Sequence, residues 1–150
     1  MAGRFYDQWS VGDALTHEIR RTVTETDNLL FTTMTHNPQP LHLDVEAAKE
    51  SEFGQILVNG TFTFALMIGL TVGDTTLGTL VANLGYDKLV MPIPVFIGDT
   101  LRARSEVVEL RDSKSRAGCG IVTFRHELVN QRDEIVCQCL RMALLKGSGG

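Results

Sequence analysis

Residues 60–72 read Gly60-Thr61-Phe62-Thr63-Phe64-Ala65-Leu66-Met67-Ile68-Gly69-Leu70-Thr71-Val72, with no charge and no polarity beyond threonine hydroxyls. A helix on a protein surface shows a polar stripe, and this stretch has none, so the expectation is a helix buried on every side. Thirteen residues of helix span only about 20 Å, too short for a bilayer. A helix without a polar face needs a layer wrapped around it. The strand-like stretches 13–23, 79–84, 86–91, 99–110, 118–129 and 134–145 can supply that layer. Asn130-Gln131-Arg132-Asp133 reads as a hairpin loop between the last two. In 134–145, Val136, Leu140, Met142 and Leu144 share one face, and Cys137, Cys139, Arg141 and Ala143 the other. The expected fold is therefore α+β, a curved and mostly antiparallel sheet around one central helix. Open edges of such a sheet are commonly covered by dimerisation.

The remaining elements follow from local signals. Thr24-Glu25-Thr26-Asp27 has the spacing of a helix start, with a hydroxyl cap and a carboxylate three residues on. The helix that follows is expected to turn Leu29, Leu30 and Met34 inward and to fail near Asn37-Pro38. Pro38 and Pro40 are expected to exclude helix beyond that point. Asp44 reads as the cap of a short helix over 45–49. Gly12-Asp13 and Gly98-Asp99 each read as a turn that feeds a strand.

With 150 residues, the chain is long enough for one ordinary domain. We expect it over residues 1–146, followed by a flexible tail, 147–150. A net charge of −4 argues against nucleic acid or an anionic membrane surface as the main partner. The first five residues carry no apolar signal-peptide core, and no apolar run is long enough to span a membrane. Cys119, Cys137 and Cys139 fit neither a disulfide framework nor a zinc site, which suits reduced packing residues in a cytoplasmic protein. His17 and His126 fall in strand-like stretches and read as surface or interface residues.

Chemistry concentrates in Asn37-Pro38-Gln39-Pro40-Leu41-His42-Leu43-Asp44. His42 sits in a loop stiffened by two prolines, and imidazole is the side chain suited to proton exchange near neutral pH. Val58-Asn59-Gly60-Thr61 leads into the central helix, whose first N–H groups lack partners and carry the positive end of the dipole. Gly60 lets a ligand approach the backbone. An N–H there suits a carbonyl oxygen that gains negative charge. Taken alone, each residue also has an ordinary reading: His42 as a hydrogen-bonded loop histidine, Gly60 as a packing glycine, Asn37 as a helix-end residue and Asp44 as a cap.

The combination resembles the MaoC-like hydratases of the hot-dog fold, the family of (R)-specific enoyl-CoA hydratases. The family pattern is roughly Asp-x-Asn-Pro-x-His-x-Asp, followed some eighteen residues after the histidine by His-Gly at the start of the central helix. Gln39-Pro40-Leu41-His42-Leu43-Asp44 matches the second part, and Gly60 lies eighteen residues after His42. Pro94-Val95-Phe96-Ile97-Gly98-Asp99-Thr100-Leu101 resembles the family's Pro-Val-x-x-Gly-Asp strand entry.

The resemblance implies addition of water to the double bond of an enoyl-CoA, or its removal from a 3-hydroxyacyl-CoA. It implies His42 as acid and base and the Gly60 N–H as oxyanion donor. Gln39, Asn59 and Thr61 are expected to bind substrate. Coenzyme A comes with the substrate, and neither a metal nor a separate cofactor is implied. A homodimer or higher homo-oligomer is the implied assembly. Two positions depart from the pattern. Asn37 stands where the family has its aspartate, and Asn59 where it has the histidine before the glycine. An amide can orient a water but cannot take its proton.

Three accounts remain open. His42 acts alone while Asn37 places the water; a carboxylate of the substrate takes the missing role; or hydration has been lost, leaving a non-catalytic acyl-thioester-binding subunit. The Asn-Pro-Gln-Pro-Leu-His run resembles a branch linked to short, branched or carboxylated enoyl-CoA substrates such as mesaconyl or itaconyl thioesters. A hot-dog acyl-CoA thioesterase is the other enzymatic reading. The lack of any Asp or Glu between Gly54 and Val72 weighs against it.

Overall fold

Thr24 caps the first helix as its spacing predicts. Its hydroxyl accepts from the Asp27 N–H at 3.1 Å, and the Asp27 carboxylate accepts from the Thr24 N–H at 2.8 Å. Arg21 reinforces this box with two 2.7 Å bonds to the same carboxylate and holds it well below the usual carboxylate range. In the computed structural model, which describes residues 3–149, this junction joins strand β1 (Ala14–Thr22) to helix α1 (Glu25–Met34). Short helices α2 (Pro40–Leu43) and α3 (Val45–Glu50) follow, then the long helix α4 (Gly60–Thr75). Strands β2 (Leu80–Val90), β3 (Thr100–Asp112), β4 (Cys119–Val129) and β5 (Ile135–Lys146) complete the chain.

The five strands form one antiparallel sheet in the order β1-β3-β4-β5-β2. Helix α4 lies across it, packed on β1, β3, β4 and β5. The expected α+β architecture is therefore present. Both Gly-Asp turns form alike. Gly12 and Gly98 adopt φ of 94° and 97°, which a side chain would resist. Asp13 and Asp99 each accept the N–H three residues back, from Ser10 and Phe96, at 2.9 Å.

Several expectations need correction. Pro40 does not exclude helix; it occupies the first turn of α2, where a missing N–H costs nothing. The stretches 79–84 and 86–91 are one strand, β2, whose register shifts near Leu80, Asn83 and Asp87 absorb the irregular pattern. Helix α4 is not buried on all sides. Thr63, Met67, Thr71 and Thr75 form its buried line, while Thr61, Ala65 and Gly69 are exposed. On α1, Leu29, Leu30 and Met34 point outward at 48%, 61% and 64% exposure, and Asn28 and Thr32 point inward. The residue that leaves α1 in the left-handed region is His36, at φ 58°. In the tail, Gly147 donates to the Gly118 carbonyl and Ser148 is bonded to Asp7, while Gly150 lies outside the described residues.

The inward face of the sheet carries two apolar clusters. One, between the sheet and α4, joins Met67 of the helix to Leu101, Ala103, Leu128, Val136, Cys137 and Cys139. The other contains Val107, Val122, Phe124, Ala143 and Leu145, and is closed by Trp9 from the turn after the 3-10 helix Tyr6–Gln8. Trp9 meets Phe124 edge-on at 5.2 Å. Of the two faces of β5, the one carrying Cys137, Cys139, Arg141 and Ala143 is therefore the inner one.

A polar layer lies between the clusters, and it overturns the surface reading of His17 and His126. They are 1% and 0% exposed. His17 Nδ1 donates to Asp74 at 2.8 Å, and the Ser105 hydroxyl bridges His17 Nε2 at 2.8 Å and His126 Nδ1 at 2.7 Å. Arg141, also fully buried, donates to Asn83 at 2.8 Å and Thr76 at 3.1 Å. This layer ties the C-terminal half of α4 to β1, β3 and β4.

Candidate active site

Helix α2 presents His42 at its C-terminal end, half-buried. Its ring is held by a 2.7 Å bond from Nδ1 to the Leu57 carbonyl. A carbonyl only accepts, so Nδ1 carries the proton in the neutral ring and Nε2 is left as the basic nitrogen. The Leu57 N–H returns a bond to the Leu41 carbonyl at 3.2 Å. The loop bearing His42 is thereby stitched to the segment that enters α4.

That segment ends at Asn59, the N-cap of α4, whose side-chain oxygen accepts from the Thr61 N–H at 2.9 Å. Gly60 follows as the first helical residue, so its N–H has no acceptor within the helix. Leu57, bonded to the histidine ring, lies three residues before Gly60, so the His42 loop is tied to the segment that enters α4. A Cβ on Gly60 would lie 2.6 Å from the Met91 sulfur, so the glycine admits close approach on that side.

A cavity of about 340 Å³ opens beside Gly60. Its walls include Phe53, Leu57, Val58, Thr63, Met91, Ile93 and Val136, and the lining carries no charged side chain. Such a space suits a small apolar group and leaves an anion unpaired.

The other expected residues occupy more local positions. Asn37 is half-buried, and its side-chain oxygen accepts from the Gln39 N–H at 3.0 Å, an Asx turn that shapes the proline loop. Gln39 is exposed and caps α2 without a side-chain bond. Thr61 is exposed, and its N–H is taken by Asn59. Asn59 itself is 2% exposed and acts within the framework. Asp44 is the cap of α3, accepting from Glu46 and Ala47.

Sequence reasoning missed Asn28 and Thr32. Both are buried on α1 and bonded to the segments that carry His42 and Asn59. The available signal was two polar residues four apart, at helical spacing for one face.

Comparison with known proteins adds a second line of findings. A family model described as a MaoC like domain matches residues 7–130. The chain is 33% identical over 145 residues to mesaconyl-CoA hydratase of Cereibacter sphaeroides, a match covering 97% of this chain and 42% of that protein. The chain thus spans less than half the length of this curated relative. A solved structure described as a monoamine oxidase regulatory protein from Archaeoglobus fulgius superposes with a TM-score of 0.87 at 32% identity, covering 99% of this chain and 97% of that one. A Mycobacterium tuberculosis protein described as having a double hotdogfold superposes with a TM-score of 0.87 at 25% identity, covering 97% of this chain and 45% of that one.

Proposed function

The chain belongs to the MaoC-like domain family, and from that premise we propose that it hydrates a short, branched or carboxylated enoyl-CoA, or dehydrates the matching 3-hydroxyacyl-CoA. The observation that carries this reading is the His42–Leu57 bond, which leaves Nε2 basic and ties the ring to the entrance of α4. The mesaconyl-CoA hydratase relative supports the substrate class.

In the proposed reaction, His42 Nε2 takes a proton from water as the oxygen bonds to the β-carbon of the conjugated thioester. The electron pair of the double bond moves toward the thioester carbonyl, and the Gly60 N–H donates to the resulting enolate oxygen. The same imidazole then returns its proton to the α-carbon. A single oxyanion donor is worth about 3–4 kcal/mol of barrier. Asn37 keeps a second lone pair on its side-chain oxygen and serves to place the water, not to deprotonate it. The apolar cavity beside Gly60 receives the branch of the acyl group, and any free carboxylate stays outside it. Gln39 and Thr61, both exposed near the site, contact the thioester arm.

A second copy of the chain completes the assembly in this proposal. Strand β2 is a sheet edge bearing Leu84, Tyr86, Leu89 and Val90, each 40–50% exposed. Three unpaired cysteines support a cytoplasmic setting. Burial pushes the Cys137 and Cys139 thiols up to about 12 and about 11, which keeps them as inert packing groups.

The test is hydration of a panel running from crotonyl-CoA to mesaconyl-CoA, followed as loss of the conjugated-thioester absorbance. Wild type is expected to turn over at least one branched member, and His42→Ala to lose about a hundredfold or more in kcat. Equal rates for the two proteins would end the proposal. Release of free thiol from saturated acyl-CoA would move the reading to a thioesterase.

A further inference from the structure

Asn28 is 2% exposed in the middle of α1, and both ends of its amide are committed. Its Nδ2 donates to the backbone carbonyl of His42 at 3.0 Å. Its Oδ1 accepts the backbone N–H of Asn59 at 2.9 Å. The His42 ring in turn donates to Leu57, two residues before Asn59. These bonds close a ring that runs from Asn28 through His42 and Leu57 to Asn59 and back to Asn28. Thr32, one turn further along α1, accepts from Asn59 Nδ2 at 3.2 Å and supports the same corner.

No other side chain among the described residues is bonded both to the loop of the histidine and to the entry of α4. A buried amide at this point is a poor choice for packing alone, because each end must find its partner. A leucine would fill similar space without that demand. The amide answers a specific need: one group must accept from Asn59 while another donates to His42, and a carboxamide offers both on one rigid plane.

We propose that Asn28 is a positioning residue for the hydration reaction, fixing the distance between the His42 imidazole and the Gly60 N–H. This rests on the function proposed above. Asn28 touches no substrate. It acts through His42 and Asn59, and its contribution belongs to the chemical step, not to substrate affinity. Misplacement of a catalytic group by about 1 Å can cost on the order of a hundredfold in rate.

Asn28→Asp tests this at nearly constant shape. The introduced carboxylate still accepts from Asn59 but faces the His42 carbonyl with an oxygen that cannot donate. Burial against that carbonyl raises the pKa of the new group, and its protonated form restores the missing donor. The expected result is a kcat lowered about ten- to a hundredfold with KM within about threefold. The rate relative to wild type is expected to recover as pH falls from about 8 to about 5.5, as the carboxyl gains its proton. Asn28→Ala is expected to lose kcat with no such recovery. Leu145→Ala, in the distant apolar cluster, provides a comparison of lowered melting temperature with kcat unchanged.

A flat pH ratio for Asn28→Asp, or a loss confined to KM, would overturn the proposal. So would an equal loss of kcat in Leu145→Ala at matched stability. If His42→Ala is inactive while both Asn28 variants keep wild-type kcat, this proposal fails and the proposed function stands. If wild type hydrates nothing in the panel, the proposed function fails and the positioning claim is read from the ring itself. The 15N resonances of His42 are then expected to report one tautomer in wild type and a mixture in Asn28→Ala. An unchanged single tautomer would refute positioning by Asn28.

Discussion

His126 is sealed between Phe124, which stacks on it at 5.4 Å, Ser105 on β3, and Arg141 on β5, with His17 beyond the serine. Burial first, then the Arg141 guanidinium, then His17, hold its ring down to about 3. An unfolded chain would protonate the same ring near 6.5. Stability from this residue is therefore complete above about pH 6.5 and is lost as pH falls toward 3, at about 1.4 kcal/mol per pH unit. His126→Gln removes the titration. Between pH 7 and 4.5 its melting temperature is expected to fall less steeply than that of wild type, although it starts lower at pH 7. Parallel curves would show that His126 does not govern the acid response. Strand patterning could not reveal this burial, because a histidine in a strand looks the same whether it faces water or a serine across the sheet. Asn28 poses the same difficulty: its partners, His42 and Asn59, lie 14 and 31 residues away.

At the scale of the element, local chemistry was well legible. The Thr24–Asp27 box, the Asp44 cap and the two Gly-Asp turns all rest on residues within three or four positions of each other, and all form as read. The facing of the helices was not legible. Helix α1 turns a polar pair inward because Asn28 and Thr32 find hydrogen-bond partners there, while its leucines remain on the outer side. Strand β4 offers a test of close approach. A Cβ at Gly120 would overlap the ring of Tyr6, which lies over it and donates to Asp112 at 3.1 Å. Gly120→Ala is expected to destabilise by about 1–3 kcal/mol in thermal or urea melts. In a Tyr6→Ala background the same change should cost much less, since the overlapping ring is gone. Equal costs in both backgrounds would mean that Tyr6 is not the obstacle.

At the scale of the whole molecule, a single chain leaves large apolar residues in water. Strand β2 presents Leu84, Tyr86, Leu89 and Val90 along a free edge, and the matched double hot-dog structure is about twice as long as this chain. Leu84→Glu places a charge in the proposed contact at a position already 50% exposed, so the fold should survive it. Sedimentation is expected to move from dimer to monomer at micromolar protein, with unchanged far-ultraviolet dichroism. A dimer that persists through this change would rule out the β2 edge as the contact.

The amino-acid sequence alone determined the α+β class, the central helix and the capped starts of α1 and α3, and it marked His42 and Gly60 as candidates by their spacing. These depend on propensity, short-range hydrogen bonds and a recurring motif, all written in neighbouring residues. Only the tertiary structure decided that His17 and His126 are internal, that α4 is buried along one line, and that Asn28 binds the two halves of the candidate site together. Such facts depend on which distant segments meet. A buried polar group is stable only where a partner arrives from elsewhere in the chain, and no local pattern records that arrival.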